Sequence, residues 1–490
     1  MWARTLLFLL VMLALPAAAL ADGELLNGFG NQGTQQVDVI ASPGLSGPNP
    51  GDRGDAITPG RSQDESFVAG WTEPGFQGDL ADQSDWQQQQ ITLTRYDGQG
   101  HDPNFRSAPP PGYVHRGVVA SFPGFRSQGL AVAYRSDPNL SEHRILVGGM
   151  IAPNFTNQWD IVVLDYTRQG TLDPDFGTGG VFRTDPDGGV QDSFVGAMQM
   201  DRVNKRLLIA GPAMEATPQN AAAGRPTRGW VFVGKLNPLS GQRDTEYGVN
   251  GFWRMLPVLA GNEPVATLVH DMALDTVRKR VYVCGSARFA NGDTAGFVTA
   301  SFLSHPVGKG PQALTRRWNG GRIRWFNTRN RAEQCNGIDI TRDGLTVVAV
   351  TQGVPDSTPD RILVSEFRTT GSFFDPFGGD GEIRLGLANG SLAADAVAFR
   401  QPGENRVYVP GIDWGATGLT GDRRVLLAAL RQTNGTLDTA FDGVSSANGL
   451  LRTNVLVGGV DQAFDMAATP AHLTLAGRAG PRLLVARYRP

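Results

Sequence analysis

The chain is poor in several things at once. Of its 490 residues only two are cysteine, Cys284 and Cys335, and only four are lysine, against 40 arginines. Basic and acidic side chains nearly cancel, 44 against 47, for a formal charge of −3. That balance excludes a polybasic nucleic-acid binder and an acidic disordered tail. The usual catalytic signatures are missing too: there is no G-x-S-x-G, no H-E-x-x-H and no C-x-x-C. Six histidines are scattered singly, at 115, 101, 143, 270, 305 and 472, with no metal-ligand spacing between them. Beyond the first residues no apolar run approaches the ~18 residues a membrane helix needs. Hydrophobic residues still make up 40%, with 24 Phe and 9 Trp. So long a chain can bury a large core, and wholesale disorder is excluded.

The amino terminus reads as an export leader. Arg4 supplies the cationic start, Thr5–Leu15 the apolar run, and Ala19 and Ala21 the small residues of an A-x-A cleavage site. The run is too short to span a bilayer, and no cysteine follows it to carry a lipid. Residues 1–21 are therefore expected to be a signal peptide and 22–490 the mature protein, periplasmic or extracellular, with no membrane insertion after cleavage.

What the chain does have is a repeat, and a fixed period has to be read before secondary structure. The cleanest copy is Leu164 to Gly180, with Leu172-Asp173-Pro174-Asp175-Phe176-Gly177-Thr178-Gly179-Gly180 at its end. Related segments end at Phe105 and Phe441, and worn ones at Tyr247, Trp318 and Phe377; the first is Leu25 to Gly33, around Phe29. The aromatic thus falls at 29, 105, 176, 247, 318, 377 and 441, at intervals of 76, 71, 71, 71, 59 and 64 residues. One interval is the size of a four-stranded sheet with its turns. Short runs rich in β-branched and aromatic residues precede each turn, as in Asp271–Leu274, Arg280–Gly285 and Gly296–Ala300, and one follows it, as in Val181–Thr184. The first run of each unit is rich in Gly and Ala, as strands crowding on a common axis require.

The expected fold is all-β, a seven-bladed β-propeller. The chain begins with a turn and one strand and stops after a third strand, so the two fragments together make one unit. The N-terminal strand is expected to close the last blade from outside, which removes free edges.

An Arg- or Tyr-ended strand, a D/N-G or Q-G turn, and then L-D-x-x-F-G-x-x-G resemble the delta-60 repeat, a β-propeller repeat of exported bacterial proteins. The resemblance spans nearly the whole mature chain and is clearest at residues 161–181. It implies the fold and leaves the activity open.

Several motifs carry a bland reading. Gly28 to Gly33 matches G-x-G-x-x-G, but a strand-like run follows it and the same turn recurs at Phe176–Gly180, so it reads as a turn and not a dinucleotide site. Arg53-Gly54-Asp55 reads as part of an inner strand. Asp173, Asp175, Asp375, Asp380 and Glu382 could hold calcium, but turn aspartates also cap their own backbone, and no cofactor is evident. The repeated aromatics read as core pegs. Aligning the first runs puts Asp55, Asp271, Asp395 and Asp465 at one position, ringing one mouth of the central channel. Such carboxylates either meet a ligand or clasp neighbouring blades through backbone amides. Cys284 and Cys335 fall on one face of adjacent units, as a disulfide or as two buried thiols.

These features give two functional expectations. The first is an exported binding or interaction module for a protein or carbohydrate ligand, held at the channel mouth or on the long insertions at 42–52, 71–86, 107–112 and 213–228. The second is a lyase or hydrolase with its site at that mouth.

Overall fold

The computed structural model describes residues 24–490 apart from 39, 42–51, 73–88, 107–113, 116, 121, 123–124, 137–142, 154–158, 186–191, 216–227, 304–317, 327–332, 342, 353–360, 387–390, 400–404, 415–422, 442–448 and 457–458. The proposed leader lies outside the described residues, as do most of the long insertions. Among the described residues no helix is long and apolar enough to cross a membrane.

Alternating, β-branched runs bounded by Gly, Asp and Asn form antiparallel strands throughout. They assemble into seven sheets, each a meander from an inner to an outer strand. Blade 1 has its inner strand at Arg53–Pro59, then Ser66–Thr72, Gln90–Tyr96 and Val118–Ala120. The inner strands of blades 2 to 5 are Phe125–Ser136, Ala197–Asp201, Pro264–Asp275 and Glu333–Ile340. That of blade 6 is split into Leu392–Ala394 and Ala398–Phe399, and that of blade 7 is Asp461–Ala468. A two-stranded ribbon, Ile40–Ala41 on Val114–His115, is added outside the blades.

The ring closes as the sequence predicts. Thr34–Val37 is the outer strand of blade 7, pairing with Leu483–Ala486 in the register Thr34 to Ala486 and Val37 to Leu483. Around the same joint the Arg487 guanidinium is buried, donates to the carbonyls of Asp97 (2.8 Å) and Asp64 (3.0 Å), and lies 4.2 Å over the Phe29 ring. These bonds tie the third strand of blade 7 to blade 1, in addition to the chain that runs from Thr34–Val37 into blade 1.

The apolar interior is divided into seven clusters, one at each blade interface. Both faces of a blade are therefore buried, which explains why second and third strands such as Val347–Val350 and Ile161–Leu164 are continuously apolar rather than alternating. The seven turn aromatics are each no more than 2% exposed, so they are pegs in these cores. The turn beneath them is the one the glycine pattern requires: Gly30 and Gly33 sit at φ +53° and +88°, Gly177 and Gly180 at +58° and +91°. Gly33 N–H closes onto Phe29 O at 2.8 Å, and Gly180 N–H onto Phe176 O at 2.9 Å. A strand follows Gly33, so the G-x-G-x-x-G segment is a structural turn.

Candidate functional site at one mouth of the central channel

All seven inner strands run the same way, so their starts surround one mouth of the channel and their ends the other. Most of them carry a β-bulge near the start. The pairing skips one residue between Gly54 and Ala56, Gly129 and Ala131, Val269 and Asp271, Cys335 and Gly337, and Ala463 and Asp465. The extra residues are Asp55, Leu130, His270, Asn336 and Phe464. In blade 6, Asp395 occupies the same place, in the break between the two inner segments. A glycine on the second strand accompanies the distortion: a Cβ on Gly70, Gly149, Gly211, Gly285, Gly411 or Gly477 would run into the inner strand's carbonyl just before it.

This offset corrects the single ring of four carboxylates. Asp55 and Asp395 are bulge residues and line a cavity of about 400 Å³ at the starting mouth. Asp271 and Asp465 are the residues after the bulge and line a separate cavity of about 540 Å³ toward the other end. One inserted residue reverses which way the next side chain faces, so the two pairs part.

Asp271 and Asp465 are inter-blade clasps. Asp271 accepts from its neighbour Met272 N (2.7 Å) and from Ile338 N of blade 5 (2.9 Å). Asp465 does the same with Met466 N (2.7 Å) and with Ile57 N of blade 1 (2.8 Å), so it also bonds across the ring closure. Burial pushes the Asp465 carboxyl up to about 7, and burial with the charge of Asp465 raises Asp271 well above the usual carboxylate range.

The starting mouth is differently built. Arg53 pairs with Asp55, whose side chain is 6% exposed, and lies 3.9 Å over the Phe464 ring. The Arg-Gly-Asp tripeptide is thus an ion pair on an inner strand. Gln462 donates to Asp395 Oδ1 at 3.3 Å. His270 meets Ser286 Oγ at 3.2 Å, and Asn336 donates to Ala394 O at 2.6 Å and Thr351 Oγ1 at 3.0 Å. Asp395 Oδ2 is buried with no hydrogen-bond partner among the described residues, and Asp55 Oδ2, likewise buried, has the Trp71 side chain as a nearby donor. Burial raises both carboxyls, Asp55 against the opposing pull of Arg53, and Asp395 to about 7. Burial also lowers His270 to about 4, keeping the imidazole neutral.

Sequence reasoning missed Arg53, His270, Asn336, Gln462 and Phe464. For His270 and Phe464 the signal is the second-strand glycine, Gly285 or Gly477, which marks the bulge across the sheet; opposite Asn336 that position is Val350.

The other candidates are structural. Asp173 accepts from Arg144 Nε (2.8 Å) and from Asp175 N (3.2 Å), and Asp438 likewise from Arg406 Nε (2.6 Å) and Ala440 N (3.3 Å). Asp380 accepts from Glu382 N (3.0 Å), Glu382 meets Arg384 (2.9 Å), and Asp375 lies 3.6 Å from Arg368. These carboxylates cap turns and pair with arginines; among the described residues no group of three or more His, Cys, Asp or Glu is arranged to hold a metal ion. Cys284 and Cys335 are buried free thiols and not a disulfide, with Cys284 Sγ donating to Cys335 O at 3.2 Å.

No protein-family model matches the chain, and no curated protein sequence does. Solved structures are similar to it in part. An ulvan lyase, described as a new family of polysaccharide lyase, aligns over 93% of this chain and 96% of its own at 10% identity and a TM-score of 0.45. The periplasmic gluconolactonase of Pseudomonas aeruginosa covers 81% and 98% at 12% identity and a TM-score of 0.33. A Dyadobacter fermentans protein of unknown function covers 74% and 94% at 12% identity and a TM-score of 0.39. The chain is an all-β, seven-bladed propeller, and its mouth has to be interpreted from its own residues.

Proposed function

We propose that this protein is an exported binding module of the delta-60 repeat type that takes a hydroxyl-bearing ligand, of carbohydrate character, at the mouth lined by Asp55 and Asp395. One observation carries the reading: two buried carboxylates line one polar cavity, and Asp395 keeps an oxygen that no group among the described residues satisfies. Buried acceptors are normally paired, and a ligand hydroxyl supplies the missing donor. Arg53, Gln462 and Gln334 add fixed hydrogen-bonding groups around it. The described strands on either side of residues 42–51, 73–88 and 216–227 end on this same side of the ring. Export rests on the leader at residues 1–21.

Calorimetry with a panel of neutral and acidic oligosaccharides tests the reading. Saturable binding is expected, lost in Asp55→Asn/Asp395→Asn and retained in Asp173→Asn on the far face. Binding that survives the double substitution would move the site elsewhere.

A second reading, a lyase or hydrolase, is favoured by one specific feature. Asp395 is raised to about 7, so near neutrality it both keeps and releases a proton beside a second carboxylate. Turnover in the same panel, with a pH–rate limb near 7 that disappears in Asp395→Asn, would establish it; binding without product would exclude it.

A further inference from the structure

The mouth is not symmetrical. Its sector at blades 6, 7 and 1 holds three guanidiniums. Arg53 lies 3.9 Å and Arg478 5.9 Å from the Phe464 ring, and Arg423 lies 4.0 Å over Trp414. Arg478 is opposite Gln462 on the neighbouring strand, so it shares the face that lines the cavity. Arg423 stands at the start of the third strand of blade 6, beside Val460 at the entry to blade 7.

The acids that face these cations are Asp55 and Asp395. Asp55 is engaged by Arg53, and Asp395 accepts from Gln462. Around Arg478, Arg53 and Arg423 add positive charge, and of the two acids Asp55 is already engaged by Arg53. Arg478 feels this directly: burial and the charges of Arg53 and Arg423 lower it, while Asp55 and Asp395 offset them in part. Its Nε is buried with no hydrogen-bond partner among the described residues, as is Trp414 Nε1. Two buried donors beside positive charge call for an acceptor that carries negative charge. A guanidinium fork suits a planar carboxylate, because two parallel N–H groups meet two oxygens.

We propose that this sector reads an anionic group, so that the ligand is a polyhydroxylated carboxylate of the acidic-sugar class, its carboxylate on Arg478 and its hydroxyls on Asp55 and Asp395. The proposal rests on the mouth being a binding site and adds the charge of what binds there.

The experiment compares D-glucuronate and D-galacturonate with glucose, galactose and acetate by thermal shift and calorimetry, on wild type, Arg478→Gln and Arg423→Gln, each checked for fold by circular dichroism. The acidic sugars are expected to bind more tightly than the neutral ones by about tenfold or more, as a charge-assisted contact gives. That preference should vanish in Arg478→Gln, or in Arg423→Gln if the first variant does not fold, and acetate should bind weakly. Equal binding of acidic and neutral sugars would overturn the anion claim and leave the mouth standing. Acetate binding as tightly as the uronates would overturn the sugar half. A preference surviving both substitutions would overturn the assigned arginines, and no binding of any sugar would overturn the proposal together with the reading beneath it.

Discussion

A single inserted residue in the inner strand decides what each channel aspartate does. Asp271 and Asp465 follow the bulge and have both oxygens taken by backbone N–H groups, one from the next blade. Asp55 and Asp395 are the inserted residues themselves, and Asp395 keeps one oxygen with no partner among the described residues. Substitution should therefore separate two phenotypes. Asp465→Asn is expected to lower stability by roughly 1–3 kcal/mol, because an amide offers one acceptor where the carboxylate offered two to buried donors. Asp395→Asn is expected to leave the melting temperature nearly unchanged while abolishing ligand binding. Urea denaturation and calorimetry on the two variants check this, and the opposite pattern would exchange their roles. The turn aromatics belong to the same scale. Phe176 is fully buried in the core between blades 2 and 3, and Phe176→Ala should cost about 3–5 kcal/mol.

Among the elements, the strand Thr34–Val37 has the largest task. Without it the edge of Arg482–Tyr488 is unpaired, the Phe29 peg is lost, and Arg487 loses the ring it covers. Removing residues 22–37 should lower the melting temperature and produce aggregates visible by light scattering. A monodisperse variant of unchanged melting temperature would show that closure contributes little. The turns form a second set of inter-blade links on the far side of the ring. Gly30 N donates to Gln99 O (2.8 Å), Gly177 N to Ser240 O (2.9 Å) and Gly378 N to Asn434 O (2.9 Å), each reaching the turn of the next blade. The L-D-x-x-F-G-x-x-G motif is thus as much a contact between blades as a turn within one. This explains why its aromatic, aspartate and glycine were legible: each is fixed by local geometry repeated in every unit.

At the scale of the whole molecule, seven interfacial cores replace one central core, and the axis is left to polar groups. Their titration gives the protein a pH dependence whose sign can be worked out. Asp395 and Asp465, and Glu366 in the third strand of blade 5, sit near 7 in the fold, and burial also raises Asp271, against ordinary values of 3.8 to 4.5. Folding therefore favours their protonated forms, and this stabilisation is full below about 4 and lost as the pH rises through 7. His270, lowered from 6.5 to about 4, acts oppositely, losing stability as the pH falls through that window. The carboxyls outnumber it, so the melting temperature should be higher at pH 5 than at pH 8. Asp465→Asn should narrow the difference; a melting temperature that rises toward pH 8 would contradict these assignments.

The repeat, the Gly- and Ala-rich inner runs and the complementary fragments at the two ends determined the blade count, the closure and the buried pegs, because each follows from a period visible along the chain. The bulge was written there only indirectly, in glycines on a different strand, so aligning the aspartates by eye merged two positions one residue apart. Which carboxylates line the starting mouth and which join blades was decided by tertiary structure alone. It depends on neighbours far along the chain: Ile57, 408 residues away, lies across the ring closure from Asp465, and Gln462, 67 residues away, donates to Asp395 from the next blade.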